Sequence, residues 1–322
     1  MTQLSEWSPP DDVDLLRVAE LYYEHSMTQE EIAKQLTLTR WKVGRMLKEA
    51  RERGIVKIEI VHPRARLRGL EAQLRSRYPL QEAIIVPSNG DSDSQRRAVA
   101  RATADCLSDL RPTPAVIGVS WGRTMDDVAA SIAPGWARGV EVVQVNGSIS
   151  LGRNTSGRPV CTELARQGPG TARLLAAPAI VEKPETKRAI VADTSVRQVL
   201  ETARAADVLL FSLGALSADS VLVECGYLTP KDVARLRVMG AVGDVLGRFI
   251  DAEGNEVSSD LSERTVALEL EDIRQAPVAI AVASGAEKAS VARAALVTGL
   301  CNILVADSDT VTGILQSDGA ID

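Results

Sequence analysis

The sequence predicts an α/β protein in two parts: a small winged helix-turn-helix head, then a larger Rossmann-like domain whose strands and helices alternate around a parallel sheet. Three observations predict it. Apolar residues recur at helical spacing three times between Val13 and Ala50. From Glu82 onward, short apolar runs alternate with amphipathic stretches. Charge is uneven: residues 1–39 carry 2 Lys/Arg against 8 Asp/Glu, residues 40–77 carry 12 against 4, and residues 78–322 carry 23 against 31. A basic segment inside a chain of net charge −6 is the pattern of a nucleic-acid-binding module joined to an acidic partner domain.

The 322 residues, 45% apolar and 25% charged, suffice for about two domains and exclude a disordered or fibrous chain. No apolar run reaches the roughly 18 residues that cross a bilayer, and the N-terminus lacks the charged start and apolar stretch of a signal peptide. The expectation is a cytoplasmic protein without membrane partners. Cys106, Cys161, Cys225 and Cys301 have no CxxC spacing, and His25 and His62 are the only histidines. Reduced, mostly buried thiols are expected, with no metal site and no cofactor.

The head is read over residues 1–62. Leu15, Val18, Ala19, Tyr22 and Tyr23 make one amphipathic helix. Thr28 followed three residues later by Glu31 is a capping box for a second helix through Ile32, Ala33 and Leu36. After the turn Leu36 to Thr39, a third helix carries Val43, Met46, Leu47 and Ala50 on its apolar stripe. In such a motif the second of the paired helices enters the major groove with its first residues near base edges. Here those residues are Thr39, Arg40, Trp41, Lys42 and Arg45. Arg40 and Arg45 can fork onto guanine edges or phosphates, while Thr28, Gln29 and Thr39 suit phosphate oxygens. Lys48, Arg51, Arg53 and Lys57 are expected as further backbone contacts. Gly54 ends the helix, and Ile55 to Val61 alternates like one strand of a wing.

Residues 63–81 read as a linker helix with Leu67, Leu70 and Leu74 on one stripe. The stripe could pair with a second copy or dock on the next domain; pairing of the heads is the favoured expectation. In the domain of residues 82–322, strands are expected at Ala83–Pro87, Ala115–Val119, Val140–Val145, Val208–Leu213, Val278–Val282 and Ile303–Val305. Helices are expected at Ser94–Leu110, Thr124–Ile132 and Glu287–Leu300. In such sheets ligands sit at the carboxyl ends of the strands.

Several strand-end turns carry candidate groups. Gly118 to Met125 runs from a strand through Ser120, Trp121 and Gly122 into a helix, and Arg123 and Thr124 would add charge and a hydroxyl to an anion-binding helix start. It is neither a Walker A loop nor a GxGxxG fingerprint. Asn146-Gly147 and Ser212 to Leu216, with Gly214, place small or polar groups at two further strand ends. Asp244 could supply a carboxylate, and Lys288 lies at another strand-to-helix junction. Each turn alone is equally readable as structural.

Taken together, the segments Met27 to Ala33, Thr39 to Arg51, Ile117 to Thr124, Cys225 to Thr229 and Gly240 to Asp251 resemble the SorC/DeoR family of bacterial sugar-responsive transcriptional regulators, from about Leu15 to Leu315. The resemblance implies a sugar-phosphate-binding domain with the fold of ribose-5-phosphate isomerase and glucosamine-6-phosphate deaminase, used for sensing. It further implies that Gly122, Arg123, Thr124 and Lys288 hold the phosphate, that Asp244 and Asn146-Gly147 contact sugar hydroxyls, and that Arg158 is a ligand contact. Two departures, Gly44 where the family commonly has serine and Asn146 where it commonly has glycine, bear on base and ligand preference. The expected protein is a non-enzymatic regulator with no catalytic residues, binding operator DNA as a homodimer or homotetramer under control of a phosphorylated sugar. The alternative is an isomerase- or deaminase-like enzyme carrying a DNA-binding head, with Asp244 or Glu224 as general base.

Overall fold

The computed structural model describes residues 11–56, 66–88, 90–149 and 159–319. The chain divides into two compact units, residues 1–62 and 63–322. In the first, α1 (Asp12–Tyr23), α2 (Gln29–Gln35) and α3 (Arg40–Glu52) pack around Leu15, Val18, Ile32, Val43, Leu47 and Ala50. Each helix start is capped by a side chain: Asp11 accepts from the Asp14 amide at 2.8 Å, Thr39 from that of Lys42 at 3.2 Å, and Thr28 and Glu31 form the expected capping box. Gly54, at φ +74°, ends α3.

Arg53, expected on a DNA phosphate, forms exposed ion pairs within the head in the absence of DNA. Its guanidinium donates to Asp12 at 2.9 Å and to Glu49, tying the end of α3 to the start of α1. The expected contact Lys57 and most of the expected wing strand lie outside the described residues.

The second unit runs in chain order α4 (Arg68–Arg77), β1 (Glu82–Val86), α5 (Ser92–Asp109), β2 (Val116–Val119), α6 (Arg123–Ser131), β3 (Glu141–Gln144), α7 (Val160–Gln167), β4 (Thr171–Arg173), α8 (Pro184–Ala192), α9 (Thr194–Arg204) and β5 (Val208–Ala215). It continues through α10 (Val221–Glu224), α11 (Pro230–Val238), β6 (Gly243–Val245), β7 (Arg248–Ile250), α12 (Ser259–Arg264), α13 (Leu270–Arg274), β8 (Val278–Ala283), a single 3-10 turn (Ala286–Lys288), α14 (Ala289–Val297), β9 (Ile303–Asp307) and α15 (Ser308–Gly319). The strands order as β4-β3-β2-β5-β8-β9-β1, all parallel, with β6 antiparallel to the end of β5 and β7 paired to β6.

Residues alternate to the two faces, and each face has its own core. Leu209, Phe211, Ala281 and Leu304 face one; Ile117, Leu210, Ile280 and Val305 face the other. α4 closes the first face. Its leucine stripe docks on its own unit, with Leu74 fully buried and Leu67 and Leu70 packed against the same core, so the stripe is not free to pair two heads. Glu71, 5% exposed, fixes the docking by accepting from the Ile85 amide at 3.1 Å and the Arg66 guanidinium at 2.7 Å.

This strand order sets the site. From β2 the chain steps outward through β3 and β4; from β5 it steps the opposite way through β8 and β9. The carboxyl ends of neighbouring β2 and β5 therefore flank a topological switch point, where a parallel sheet opens a crevice.

Candidate functional site

At the switch point lies a cleft of about 660 Å³. β2 runs into Ser120 and Trp121, and Gly122 at φ +135° turns the chain into α6 in a conformation that L side chains rarely adopt. The cleft thus receives the start of α6, the positive end of its dipole, with Arg123 and the buried Thr124 at its first turn. From β5 come Ser212, whose amide donates to Ser120 Oγ at 3.4 Å, and Gly214. A Cβ on Gly214 would lie 1.9 Å from Asp244 Oδ1, so only glycine lets the facing strand β6 bring this carboxylate in. Leu246 and Gly247, both at positive φ, form the tight turn between β6 and β7, and the Gly247 amide donates to Asp244 Oδ2 at 2.9 Å. β8 delivers Ser284, Gly285 and then Lys288 on the 3-10 turn.

Burial dominates the electrostatics here. It raises the Asp244 carboxyl to about 6, opposed by the Gly247 hydrogen bond and by Lys288. It also lowers the Lys288 ammonium from its usual range, opposed by Glu287 and Asp244. Asp126, in the first turn of α6, is raised to about 6 by burial and by neighbouring Asp127. Two of the cleft's cations have partners: Arg123 donates to the Asp219 carbonyl at 3.0 Å and stands 3.8 Å from Glu224, and Arg96 binds Asp127 and Asp93 at 2.7 and 2.6 Å.

Nine of the eleven effector contacts expected from the sequence meet in this cleft. Ser120, Trp121, Gly122, Arg123 and Thr124 come from the β2–α6 junction, joined by Asn146, Gly214, Asp244 and Lys288. Gly147 stands away from it as a structural close approach. Its amide donates to the Val266 carbonyl and its carbonyl accepts from the Trp121 indole, both at 2.7 Å, and a Cβ there would lie 2.2 Å from the Pro178 carbonyl oxygen. Arg158 lies outside the described residues. The sequence reading missed Ser92, Asp93, Gln95 and Arg96 at the start of α5, Ser217 and the run from Asp219 to Leu222, and Asp309. The signal for α5 was present: Asp91 caps that helix by accepting from Ser94 at 2.7 Å, and a helix following β1 starts at the same edge of the sheet.

In the head, α3 carries Arg40, Lys42, Arg45 and Lys48. Trp41 is 72% exposed and the Arg45 guanidinium lies 5.1 Å over its ring. The Thr28 and Thr39 hydroxyls cap their helices. Gln29 packs against Gly44, where a Cβ would approach its Oε1 to 3.3 Å. Among the described residues Lys48 forms an exposed pair with Glu52 at 3.6 Å, which a phosphate can replace at little cost.

Among the described residues no helix is long and apolar enough to cross a membrane, and no cluster of His, Cys, Asp and Glu could hold a metal ion. Cys106, Cys161 and Cys301 are buried free thiols, raised to about 12 by that burial, and Cys225 is free and partly buried.

Residues 62–316 match the family model described as "Putative sugar-binding domain". The Deoxyribonucleoside regulator of Bacillus subtilis (strain 168) is 33% identical over 303 residues, covering 94% of this chain and 96% of that protein. The transcriptional regulator LsrR of Escherichia coli (strain K12) is 29% identical over 326 aligned positions, 98% of each chain. Among solved structures, the full-length sorbitol operon regulator SorC from Klebsiella pneumoniae superposes with a TM-score of 0.71 at 30% identity, covering 95% of this chain and 100% of that one. A DeoR family transcriptional regulator from Listeria monocytogenes gives 0.69 at 27% identity over 76% and 98%. The two curated relatives and the full-length SorC structure align with 94–98% of this chain, head and cleft domain included, and the chain belongs to the SorC/DeoR family of sugar-binding transcriptional regulators.

Proposed function

We propose that this chain is a cytoplasmic, homo-oligomeric regulator that binds operator DNA through α3, and that a phosphorylated sugar in the switch-point cleft sets its DNA affinity. The observation that carries this reading is the convergence, in one cleft, of an α-helix start with Arg123 and Thr124, the Lys288 ammonium, and the Asp244 carboxylate. The first three favour a phosphate. The last favours the hydroxyls of the attached sugar. The Arg123 contacts to Asp219 and Glu224 supply a lever, since an anion competing for the guanidinium loosens its hold on the segment leading to α10. On the DNA side, Arg40 and Arg45 read base edges or phosphates, with Thr28, Gln29, Thr39, Trp41, Lys42 and Lys48 as their flanking contacts. Residues 1–62 act as the DNA-binding domain and the rest as the effector domain, with α4 part of the latter. The relatives' names, a deoxyribonucleoside regulator and a sorbitol operon regulator, support carbohydrate-linked control. In this reading the cleft binds its ligand without turnover.

The test is fluorescence anisotropy of DNA from upstream of the protein's own gene, titrated at fixed salt with and without a panel of free and phosphorylated sugars. One sugar phosphate should shift the curve about tenfold or more, an effect of ordinary size for coupled sites. Tight DNA binding that no sugar phosphate alters removes the effector assignment, and conversion of a bound sugar phosphate to an isomer would make the protein an enzyme.

A further inference from the structure

Lys288 leads from the cleft straight into α14, and that junction is fastened to the start of α15. The Gly285 carbonyl accepts from the buried Thr310 hydroxyl at 3.0 Å, and the Gly285 amide donates to Asp307, the residue before α15, at 2.7 Å. Gly313 then lets α15 lie against the first residue of α14, since a Cβ there would stand 2.6 Å from that of Ala289. α15 begins at the cleft itself, where Asp309 lines the wall. Asp318 stands near its far end, about 14 Å from Asp309 along the helix axis. There its carboxylate collects donors from two other elements. The Tyr78 hydroxyl at 2.7 Å and the Arg77 guanidinium at 3.4 Å come from the end of α4, and the Arg293 guanidinium at 2.7 Å comes from α14. The start of α4 is pinned separately to β1, where the Leu67 amide donates to the Ile85 carbonyl at 2.8 Å and the Ile85 amide donates to Glu71 at 3.1 Å. In chain order α4 is the first described helix after residues 1–62. Packed helices transmit a shift as rigid bodies, so a displaced Lys288 turn moves the far end of α4 while its start stays on the sheet, and a helix moved at one end alone tilts.

We propose that α15 transmits the state of the cleft: a phosphate that draws in the Lys288 ammonium shifts the turn and α15 with it, and Asp318 passes the shift to α4, through which the chain arrives from the head. The inference rests on the sugar-phosphate reading above and adds the path by which occupancy leaves the cleft. Asp318 is a positioning residue, acting through α4 rather than on the ligand. Were it merely structural, its loss would lower stability and leave the path intact.

The experiment is amide hydrogen exchange of the full chain, with and without inorganic phosphate, in the wild type, Asp318→Asn and Tyr78→Phe. With phosphate at about ten times its Kd, openings that release it become about tenfold rarer. In the wild type that slowing should appear in the Lys288 turn, in α15 and in α4, and stay under about twofold in α9, a helix of the same domain off this path. In Asp318→Asn it should stop at α15; Tyr78→Phe, which removes a single donor, should lessen the slowing in α4 about twofold or more and serves if Asp318→Asn does not fold. Asp318→Asn should also bring the factor by which glucose 6-phosphate, fructose 6-phosphate or ribose 5-phosphate shifts operator affinity to within about twofold of unity. Slowing confined to the Lys288 turn in the wild type, equal slowing in α4 and α9, or slowing or a factor that the substitutions leave whole overturns the proposal while the phosphate reading stands. If phosphate slows no amide of the turn, both are lost.

Discussion

Asp307 is fully buried at the end of β9, and both its carboxylate oxygens face protein donors. Oδ2 accepts from the Gly285 amide at 2.7 Å and Oδ1 from the Thr310 amide at 2.8 Å, so the carboxylate fixes the loop that carries Lys288. Asp307→Asn keeps the shape but has one acceptor oxygen for two amides, leaving one unpaired. Calorimetry should show about a tenfold loss of sugar-phosphate affinity, with operator binding by the unliganded protein unchanged. Asp244 permits a prediction with a definite sign. Its carboxyl, raised to about 6 by burial, is protonated in the free cleft at acid pH, and only the ionised form offers its full acceptor capacity to hydroxyls. Binding that uses the carboxylate therefore releases a proton, and affinity rises with pH up to about 6 and then levels off. Dividing wild-type affinity by that of Asp244→Asn removes the phosphate's own titration; a ratio that falls as pH rises would contradict the assigned role. Visibility from sequence at this scale follows range. Thr28 and Glu31 announce themselves because capping acts across three residues, whereas Asp307 meets Gly285 only after two strands have paired, so nothing near it in the chain marks it.

The same difference of range governs the elements. The long strands and the helices α1 to α3, α5 and α6 were legible because apolar periodicity and caps are written in consecutive residues. The hairpin β6–β7 was not: its strands are three residues each, and its turn uses Leu246 before Gly247 where asparagine or aspartate would have signalled it. α4 was legible as a helix but not in its role, because an apolar stripe does not name its partner; Glu71 and the core around Leu74 do. Caps translate into measurable element stability. Thr28→Ala removes the hydroxyl half of the box at the start of α2, leaving the residue-28 amide on the Glu31 carboxylate, and should cost about 1 kcal/mol, raising amide exchange in α2 roughly fivefold while the sheet amides are unaffected. The buried Arg248 guanidinium does comparable work on a larger scale. It donates to the Leu268 carbonyl at 2.9 Å and pairs with Glu256 at 3.1 Å and Glu269 at 2.7 Å, holding β7 to two later segments. Arg248→Ala leaves the Leu268 carbonyl without this donor, Glu256 without its guanidinium and Glu269 with Lys187 at 3.6 Å, and urea denaturation should show a loss of about 3 kcal/mol.

For the whole molecule, the α3 cations and the cleft become one device only if occupancy of one changes affinity at the other, and linkage makes that claim quantitative. A hundredfold effect of the sugar phosphate on operator binding corresponds to about 2.7 kcal/mol of coupling, and the same factor must appear in the sugar phosphate's affinity when operator is bound. Calorimetric titration of the ligand into protein saturated with operator, beside the same titration without DNA, should return the factor measured by anisotropy; unequal factors would mean that the two assays report different species. Salt separates the contributions. DNA binding that neutralises roughly six phosphates falls with a log–log slope of about −5, and a ligand acting through the placement of the heads should change that slope as well as the affinity, because fewer phosphates are then reached. An unchanged slope with weaker binding would instead place the effect in base contacts made by residues such as Arg40 and Arg45. The pair of measurements thus assigns the coupling to one end of α3 or to the geometry of the heads in the proposed homo-oligomer, which would have to match half-sites about 34 Å apart.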